Sequence, residues 1–273
     1  MTDRPSWAPP GIDITVPSVS RVYDYYLGGS HNFEVDREAA RHVLKSVPAM
    51  PKVGQANRAM MRRAVRYALG RGVDQFLDIG SGIPTFGNVH EVVHALNPEA
   101  NVVYVDNDPV AVAHSKAVLD GNEHATIATA DLRDPHSVLD HPETRRMLDL
   151  DRPVALLLVA VLHFLSDADD PHGVVATLRD ALAPGSVLVI THATHTPHDR
   201  SLDDDMRAGA AVYQRTSTPL VMRQVPEVRR FFTGFELVEP GVVPMPHWRP
   251  DTPPGDDIDP AVLTGFAGVG LKA

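Results

Sequence analysis

From residue 74 onward the chain alternates short apolar runs with amphipathic segments, and this constrains its fold more than any other feature. "DQFLDI", "NVVYVD", "ATIATAD", "PVALLLVA" and "SVLVITHA" predict strands, the fourth strongly apolar. Between them, "GNVHEVVHAL", "PVAVAHSKAVL", "PHSVLDHPETRRML" and "PHGVVATLRDAL" predict helices. Pro109 suits a first helical turn, and Pro184 and Gly185 stop the last of these helices. Such alternation makes a mostly parallel sheet covered on both faces, with right-handed crossovers. The last third differs. Residues 199–214 and 220–232 read as helical, and "FELVEPGVV" and "LTGFAGVGLK" as two strands joined by a Pro-rich stretch and placed antiparallel. The expected fold class is α/β: a Rossmann-like, seven-stranded, mostly parallel sheet with an antiparallel last strand, plus an N-terminal helical extension.

The N-terminal part is organised otherwise. Residues 1–17 form a Pro-rich irregular arm. Ser18 is placed to cap a helix running to about Leu27 and ended by Gly28 and Gly29. "EVDREAARHVLKSV" and "QANRAMMRRAVRYAL" carry helical spacing. The chain therefore divides into an arm and helical lid, 1–73, and a Rossmann-like unit, 74–273, with the first packed on the second. No internal repeat is visible.

Composition narrows the chemistry. The 273 residues carry a formal net charge of -10, which disfavours nucleic acid as a general partner. With no cysteine, disulfides, thiolate catalysis and cysteine-bound zinc are excluded. "MTDRPSWAPPGIDITVPS" lacks the apolar core of a secretion signal, and "PVALLLVAVLHFL" is far short of the ~20 residues of a membrane span. A cytoplasmic location without membrane contact is expected. The sequence sets no oligomeric state.

The first strand-to-helix loop, Asp78-Ile79-Gly80-Ser81-Gly82-Ile83-Pro84-Thr85, lies where open α/β sheets bind ligands. Gly80 and Gly82 allow close approach of the backbone, and the next helix is expected to aim its amides at the ligand. A dinucleotide loop wants a third glycine, and Thr85 stands there. A carboxylate ~4 Å from a phosphate costs roughly 1 kcal/mol in water and several times that when partly buried. Asp78 thus disfavours an anionic ligand and favours one carrying an ammonium or sulfonium. S-adenosylmethionine carries both and no phosphate. Asp106, ending the second strand, can accept from both ribose hydroxyls. Asp131, ending the third, can accept from the adenine amino group. Ser81, Asn107 and Leu132 flank these acids and are assigned to the same cofactor site.

These segments resemble a known group. Residues 76–131 look like the cofactor half of class I S-adenosylmethionine-dependent methyltransferases. "PSVSRVYDYYLGGSHNFEVDREAA", "QANRAMMRRAVRYAL" and "FLDIGSGIPT…YVDNDPVAVAHSKAVL" together resemble one particular family within that class, from about residue 17 to the C-terminus. The resemblance implies the seven-stranded fold above, with Asp78, Gly80 and Gly82 along the methionine part, Asp106 at the ribose and Asp131 at the adenine. Pro84, where a third glycine is common, departs from the class motif. The resemblance supplies no acceptor.

Other residues are candidates by chemistry. In "RVYDYYLGGSHNF", Tyr23 and Tyr26 share a helix face, with Gly28 and Asn32 beside them. They suit either a lid over the sulfonium or plain packing of the arm. Arg58, Arg62, Arg63 and Arg66 read as a solvated face, with Arg58 the one chosen to reach a ligand carboxylate. His163 follows the fourth strand and His192 the fifth, each placed as a candidate base for an oxygen or nitrogen nucleophile. His192, His195 and His198 match no familiar zinc spacing, and Pro197 breaks a helix there, so no metal is assigned. Asp203 to Asp205 suit a helix start.

The function expected is methyl transfer from S-adenosylmethionine to a small-molecule acceptor at oxygen or nitrogen. A non-catalytic module that binds the cofactor as a sensor or regulatory subunit is the alternative. A dinucleotide oxidoreductase fits less well because of Thr85 and Asp78.

Overall fold

Strands apolar on both sides must be covered on both sides, and the chain does so with helices placed between them. A computed structural model describes residues 7–9, 11–85, 87–195, 200–214, 216, 218–255 and 257–273. Three helices lead in: α1 (Val19–Tyr26), α2 (Glu34–Ser46) and α3 (Met50–Gly70). Then β1 (Gln75–Ile79), α4 (Val89–His94), β2 (Asn101–Asp106), α5 (Pro109–Val118) and β3 (Ala125–Thr129) follow. Next come α6 (Pro135–Leu139), α7 (Pro142–Met147), β4 (Ala155–Val159), α8 (Pro171–Asp180) and β5 (Val187–Ala193). The chain closes with α9 (Arg200–Tyr213), α10 (Val225–Arg230), β6 (Phe235–Leu237), β7 (Val243–Pro244) and β8 (Gly265–Lys272).

The strand order is β3-β2-β1-β4-β5-β8-β6, with β7 also paired to β8. β1 to β5 are parallel, and β8 runs antiparallel to β5 from Val187↔Leu271 to Ala193↔Gly265. The order reverses between β1 and β4, which opens a crevice at the carboxyl ends of the strands. Side chains alternate across the sheet. Leu77, Val103, Leu156, Leu158 and Ile190 pack on one face with Val138, Leu178 and Phe231. Phe76, Val102, Leu157 and Val189 pack on the other with Met60, Met61, Ala64 and Val93, so α3 lies against the sheet.

The expected Rossmann-like sheet is present: seven strands form its path among the described residues, and "FELVEPGVV" adds the two-residue β7 beside β8, since Pro240 lacks a ladder N–H and Gly241 turns at φ 85°. Three expectations need correction. The stretch 135–148 is two short helices, with Pro142 opening the second. Residues 220–224 are extended, since Val221 N–H donates to the His163 carbonyl at 2.7 Å and Thr194 bridges to Arg223. The Ser18 side chain does not cap α1; its hydroxyl donates to the Asp108 carboxylate and ties the lead-in to α5.

A buried ion pair holds the lead-in together. Arg21 Nε lies 3.0 Å from the Asp36 carboxylate, and the two side chains are 3% and 0% exposed. The same carboxylate accepts from the Ser18 and Phe33 amides at 2.9 and 2.8 Å. Arg21 also donates to the Val16 carbonyl at 2.7 Å and lies over the Phe33 ring. Burial pushes the Asp36 carboxyl up, and the amides and Arg21 oppose it. Among the described residues no helix is long and apolar enough to cross a membrane.

Removing one partner of such a pair strands a buried charge. Asp36→Ala is expected to lower unfolding free energy by about 3 kcal/mol in urea titration. Glu34→Ala, which removes an exposed pair with Arg37 on the same helix, should leave the midpoint unmoved. Equal midpoints for Asp36→Ala and the parent would contradict the anchoring role.

Candidate active site

The crevice is an open cleft with two chemically different walls. Gly80, Gly82, Asp106, Asn107, Asp131 and Leu132 lie at the ends of β1 to β3 and line one wall. Val43, Val47, Met50, Val53, Met206 and Tyr213, from α2, α3 and α9, line the other.

Gly80 and Gly82 adopt φ 74° and 68°, which L side chains rarely reach. A Cβ on Gly80 would also run into the Val161 side chain, whereas Gly82 has open space. Nearly every amide of this loop is already committed. Gly80 and Ser81 donate to the Val105 carbonyl, Gly82 to Asp106 at 2.7 Å, Thr85 to Asn88 and Gly87 to Glu91. The helix expected to aim amides at a ligand is only Val89–His94, and its His90 amide donates to the Tyr104 hydroxyl at 2.7 Å. A diphosphate would find few free donors here.

The acids sit in distinct settings. Asp106 is buried and accepts from Gly82 N–H and Asp108 N–H. Burial pushes its carboxyl up to about 6 against those amides. Asp78 is buried and takes no side-chain hydrogen bond from the described residues; burial pushes it up to about 7, with Arg58 opposing and Asp106 adding to the rise. Asp131 accepts from Arg133, which with Asn107 at 3.0 Å holds it down near 2.

Asp78, Ser81 and Arg58 line not the cleft but a narrow recess beside it, and Gly82 lines both. Arg58 donates to Asn88 Oδ1 at 2.9 Å and to the Gly87 carbonyl. Its Nε and the Ser81 hydroxyl are buried without a partner. An unpaired carboxylate facing unpaired donors suits a zwitterionic amino-acid tail.

The structure separates the aromatic pair. Tyr23 lines the cleft; its hydroxyl accepts from Asn57 at 3.0 Å and donates to the Gly54 carbonyl. Asn57 accepts from the Thr191 hydroxyl at 2.7 Å, and Thr191 accepts from Ala160 N–H. This chain of bonds joins α1, α3 and β5 across the cleft floor. Tyr26 is instead buried against Tyr213, hydroxyl to hydroxyl at 3.2 Å. Asn32 donates to Asp24 at 2.7 Å, and Gly28 turns at φ 79°; neither lines the cleft. These three serve the arm.

The two histidines are also not equivalent. His192 is spent: Nδ1 donates to the Ala193 carbonyl at 2.6 Å and Nε2 accepts from Arg223. Burial, with Arg223 adding, holds its ring down near 3. It has no lone pair for a substrate proton, which corrects its placement as a base. His163 lines the cleft and accepts from Ala193 N–H on Nδ1 at 3.3 Å, so Nε2 carries the proton of the neutral ring. His195 pairs with Asp203; His198 and Pro197 lie outside the described residues. Among the described residues no three His, Asp or Glu converge as metal ligands.

Four residues take roles for which the sequence has no local signal. Arg223 is buried and donates to the Leu162 and Leu165 carbonyls and to Asp167. Asn57 and Thr191 meet only through the fold. Arg63, expected on a solvated face, is half-buried and donates to the Trp248 and Met245 carbonyls at 2.8 and 2.7 Å.

Comparison with known proteins agrees with this geometry. The model of a family described as S-adenosyl methyltransferase matches residues 5–273. A solved structure from Thermobifida fusca YX, described as that of a candidate methyltransferase, is 42% identical with TM-score 0.91, covering 98% of this chain and 99% of that one. A DUF574-family protein from Streptomyces avermitilis is 37% identical with TM-score 0.88, covering 96% of this chain and 100% of that one. TnmH, 17% identical with TM-score 0.52 over 92% of this chain and 64% of its own, shares the fold. A search of curated proteins finds no match. Its sheet, its acid-lined strand ends and its end-to-end family match agree: this chain belongs to the S-adenosyl methyltransferase family and has the fold of a class I S-adenosylmethionine-dependent methyltransferase.

Proposed function

We propose that this methyltransferase moves the methyl group of S-adenosylmethionine to a small-molecule acceptor at oxygen or nitrogen, with the cofactor held along β1 to β3. The observation that carries this reading is the pair of buried, raised carboxylates Asp78 and Asp106 beside a loop whose amides are already used. Such a wall accepts hydroxyls and cations and repels phosphate. Asp106 would take the ribose hydroxyls, with Asn107 and Leu132 beside it, and Asp131 the adenine edge. The recess would take the amino-acid tail: its ammonium at Asp78, its carboxylate at Arg58 and Ser81. When bound, the cofactor supplies an activated methyl on a good leaving group. The protein's own task is then to align the acceptor and exclude water. The apolar wall from α2, α3 and α9 supports a small-molecule acceptor. A non-catalytic sensor remains the competing outcome, recognised by cofactor binding without product over a broad acceptor panel.

Calorimetry with S-adenosylhomocysteine tests the assignment. Asp106→Ala is expected to weaken binding about 100-fold, since it removes a charged acceptor of two hydrogen bonds. Unchanged affinity would overturn the ribose role.

Binding should also follow pH. Both acids have raised values in the free protein, about 7 for Asp78 and about 6 for Asp106, and the ligand needs them ionised. Affinity is therefore full above about pH 8 and falls as pH drops through 7 and 6, by roughly tenfold per unit for each proton taken up. Asp78→Asn should remove the upper part of that fall. Affinity constant from pH 8 to pH 5 would refute the linkage.

A further inference from the structure

The acceptor end of the cleft has an unusual inventory of polar groups. Among the described residues lining it, the charged ones are Asp106, Asp131 and Arg133, all at the ends of β2 and β3. Away from β1 to β3 the lining comes from α1, α2, α3, α9, the stretch 218–222, the loop after β4, the end of β5, Met245, Thr264 and the start of β8, and none of those described residues carries a charge. A charged acceptor moved there would lose its hydration without gaining a counter-ion, at a cost of several kcal/mol by transfer data. The acceptor body is therefore uncharged and largely apolar.

Its buried polar side chains are mostly engaged. The hydroxyls of Tyr23 and Thr191 and the Asn57 amide bond one another, and the Thr264 hydroxyl donates to the Ala261 carbonyl. His163 is different. It is 7% exposed, Nδ1 is fixed by the Ala193 amide, and Nε2 has no partner among the described residues. Ala160, at φ 55°, turns the chain out of β4 to bring this ring to the cleft. His192 meets its ring edge-on at 5.4 Å, Phe164 does so at 4.5 Å, and the Arg223 guanidinium is near enough to disfavour its protonation. Flipping the tautomer would set two N–H groups against each other at Ala193. The ring faces the acceptor as a donor.

We infer that the acceptor is an uncharged apolar molecule bearing an acidic hydroxyl, a phenol or an enol, and that His163 donates Nε2–H to its oxygen rather than removing its proton. This rests on the methyltransferase reading above. The geometry separates oxygen from nitrogen acceptors. An amine has one lone pair, and a donor that takes it blocks attack. A phenol or enol oxygen has two lone pairs, so one can accept from His163 while the other points at the methyl carbon. In the balanced step the hydroxyl gives its proton to bulk water, its oxygen forms the new O–C bond, and the electron pair of the broken C–S bond returns to sulfur. The neutral ring also agrees with burial, which holds His163 well below the usual histidine range.

The test uses full-length protein and matched probes on benzene, naphthalene and anthracene rings, each as hydroxyl, amine and carboxylate. Equilibrium binding to the S-adenosylhomocysteine-loaded protein and methylation with S-adenosylmethionine are both read. The hydroxyl member of at least one set is expected to bind and react about tenfold or more better than its amine, with the carboxylate excluded. His163→Gln keeps an N–H donor but no base and should retain methylation to within about threefold, while His163→Leu should lose about tenfold or more. Both variants should bind S-adenosylhomocysteine as the parent does. Preference for an amine, binding of a carboxylate, a Gln variant as impaired as the Leu variant, or failure of every hydroxyl to bind would each overturn the inference. Failure of S-adenosylhomocysteine itself to bind would instead overturn the methyltransferase reading.

Discussion

Removing a carboxylate from water without giving it a counter-charge in contact is costly, and this chain buries two of them at neighbouring strand ends. Asp78 and Asp106 belong to adjacent parallel strands, so the sheet itself fixes how closely they approach. Two amides partly offset the cost at Asp106, and Asp78 has only the field of Arg58. The result is a pocket whose unmet need is positive charge and hydrogen-bond donors. The loop geometry follows from the same need. Gly82 takes a left-handed conformation, and its amide donates to Asp106. Amides that cradle phosphate in other α/β proteins are turned inward here to serve protein acceptors.

The second wall depends on the lead-in. Arg21 and Asp36 fix α1 against α2, and the Tyr23–Asn57–Thr191 chain fixes α1 against the sheet. Gly209 keeps α9 close to α2; a Cβ there would sit 3.3 Å from Val47. A charged wall and an apolar wall then face one another, an arrangement in which the proposed cofactor and acceptor would meet with little water between them. Low dielectric at that meeting point strengthens each remaining dipole, including the His163 N–H.

Much of this was legible beforehand for a local reason. β1 to β5 are continuous apolar runs bounded by Gly, Pro and Asp, so their existence and even the alignment of Gly82 with Asp106 follow from short-range pattern. Illegible features depend on partners far along the chain. Asn57 and Thr191 are 134 residues apart, and Arg63 and Trp248 are 185 apart. Nothing near Arg223 marks it as the buried bracket that extends residues 220–224. The roles of Tyr23 and Tyr26 were hard to part because they differ by a rotation of only about 60° on a helix. That rotation puts Val19, Ser20 and Tyr23 on the cleft and Tyr26 on Tyr213.

The cleft draws lining residues from Val19 to Gly265, almost the full span of the sequence. A nascent chain emerging from the ribosome can therefore pair β1 with β2 and β3, and bring the acids together, long before α9 and β8 exist. During that interval the nucleoside half would stand open to solvent with no apolar wall opposite it. The apolar wall is completed only once Gly265 has been made, so any capacity to hold an acceptor would come after the acids are in place.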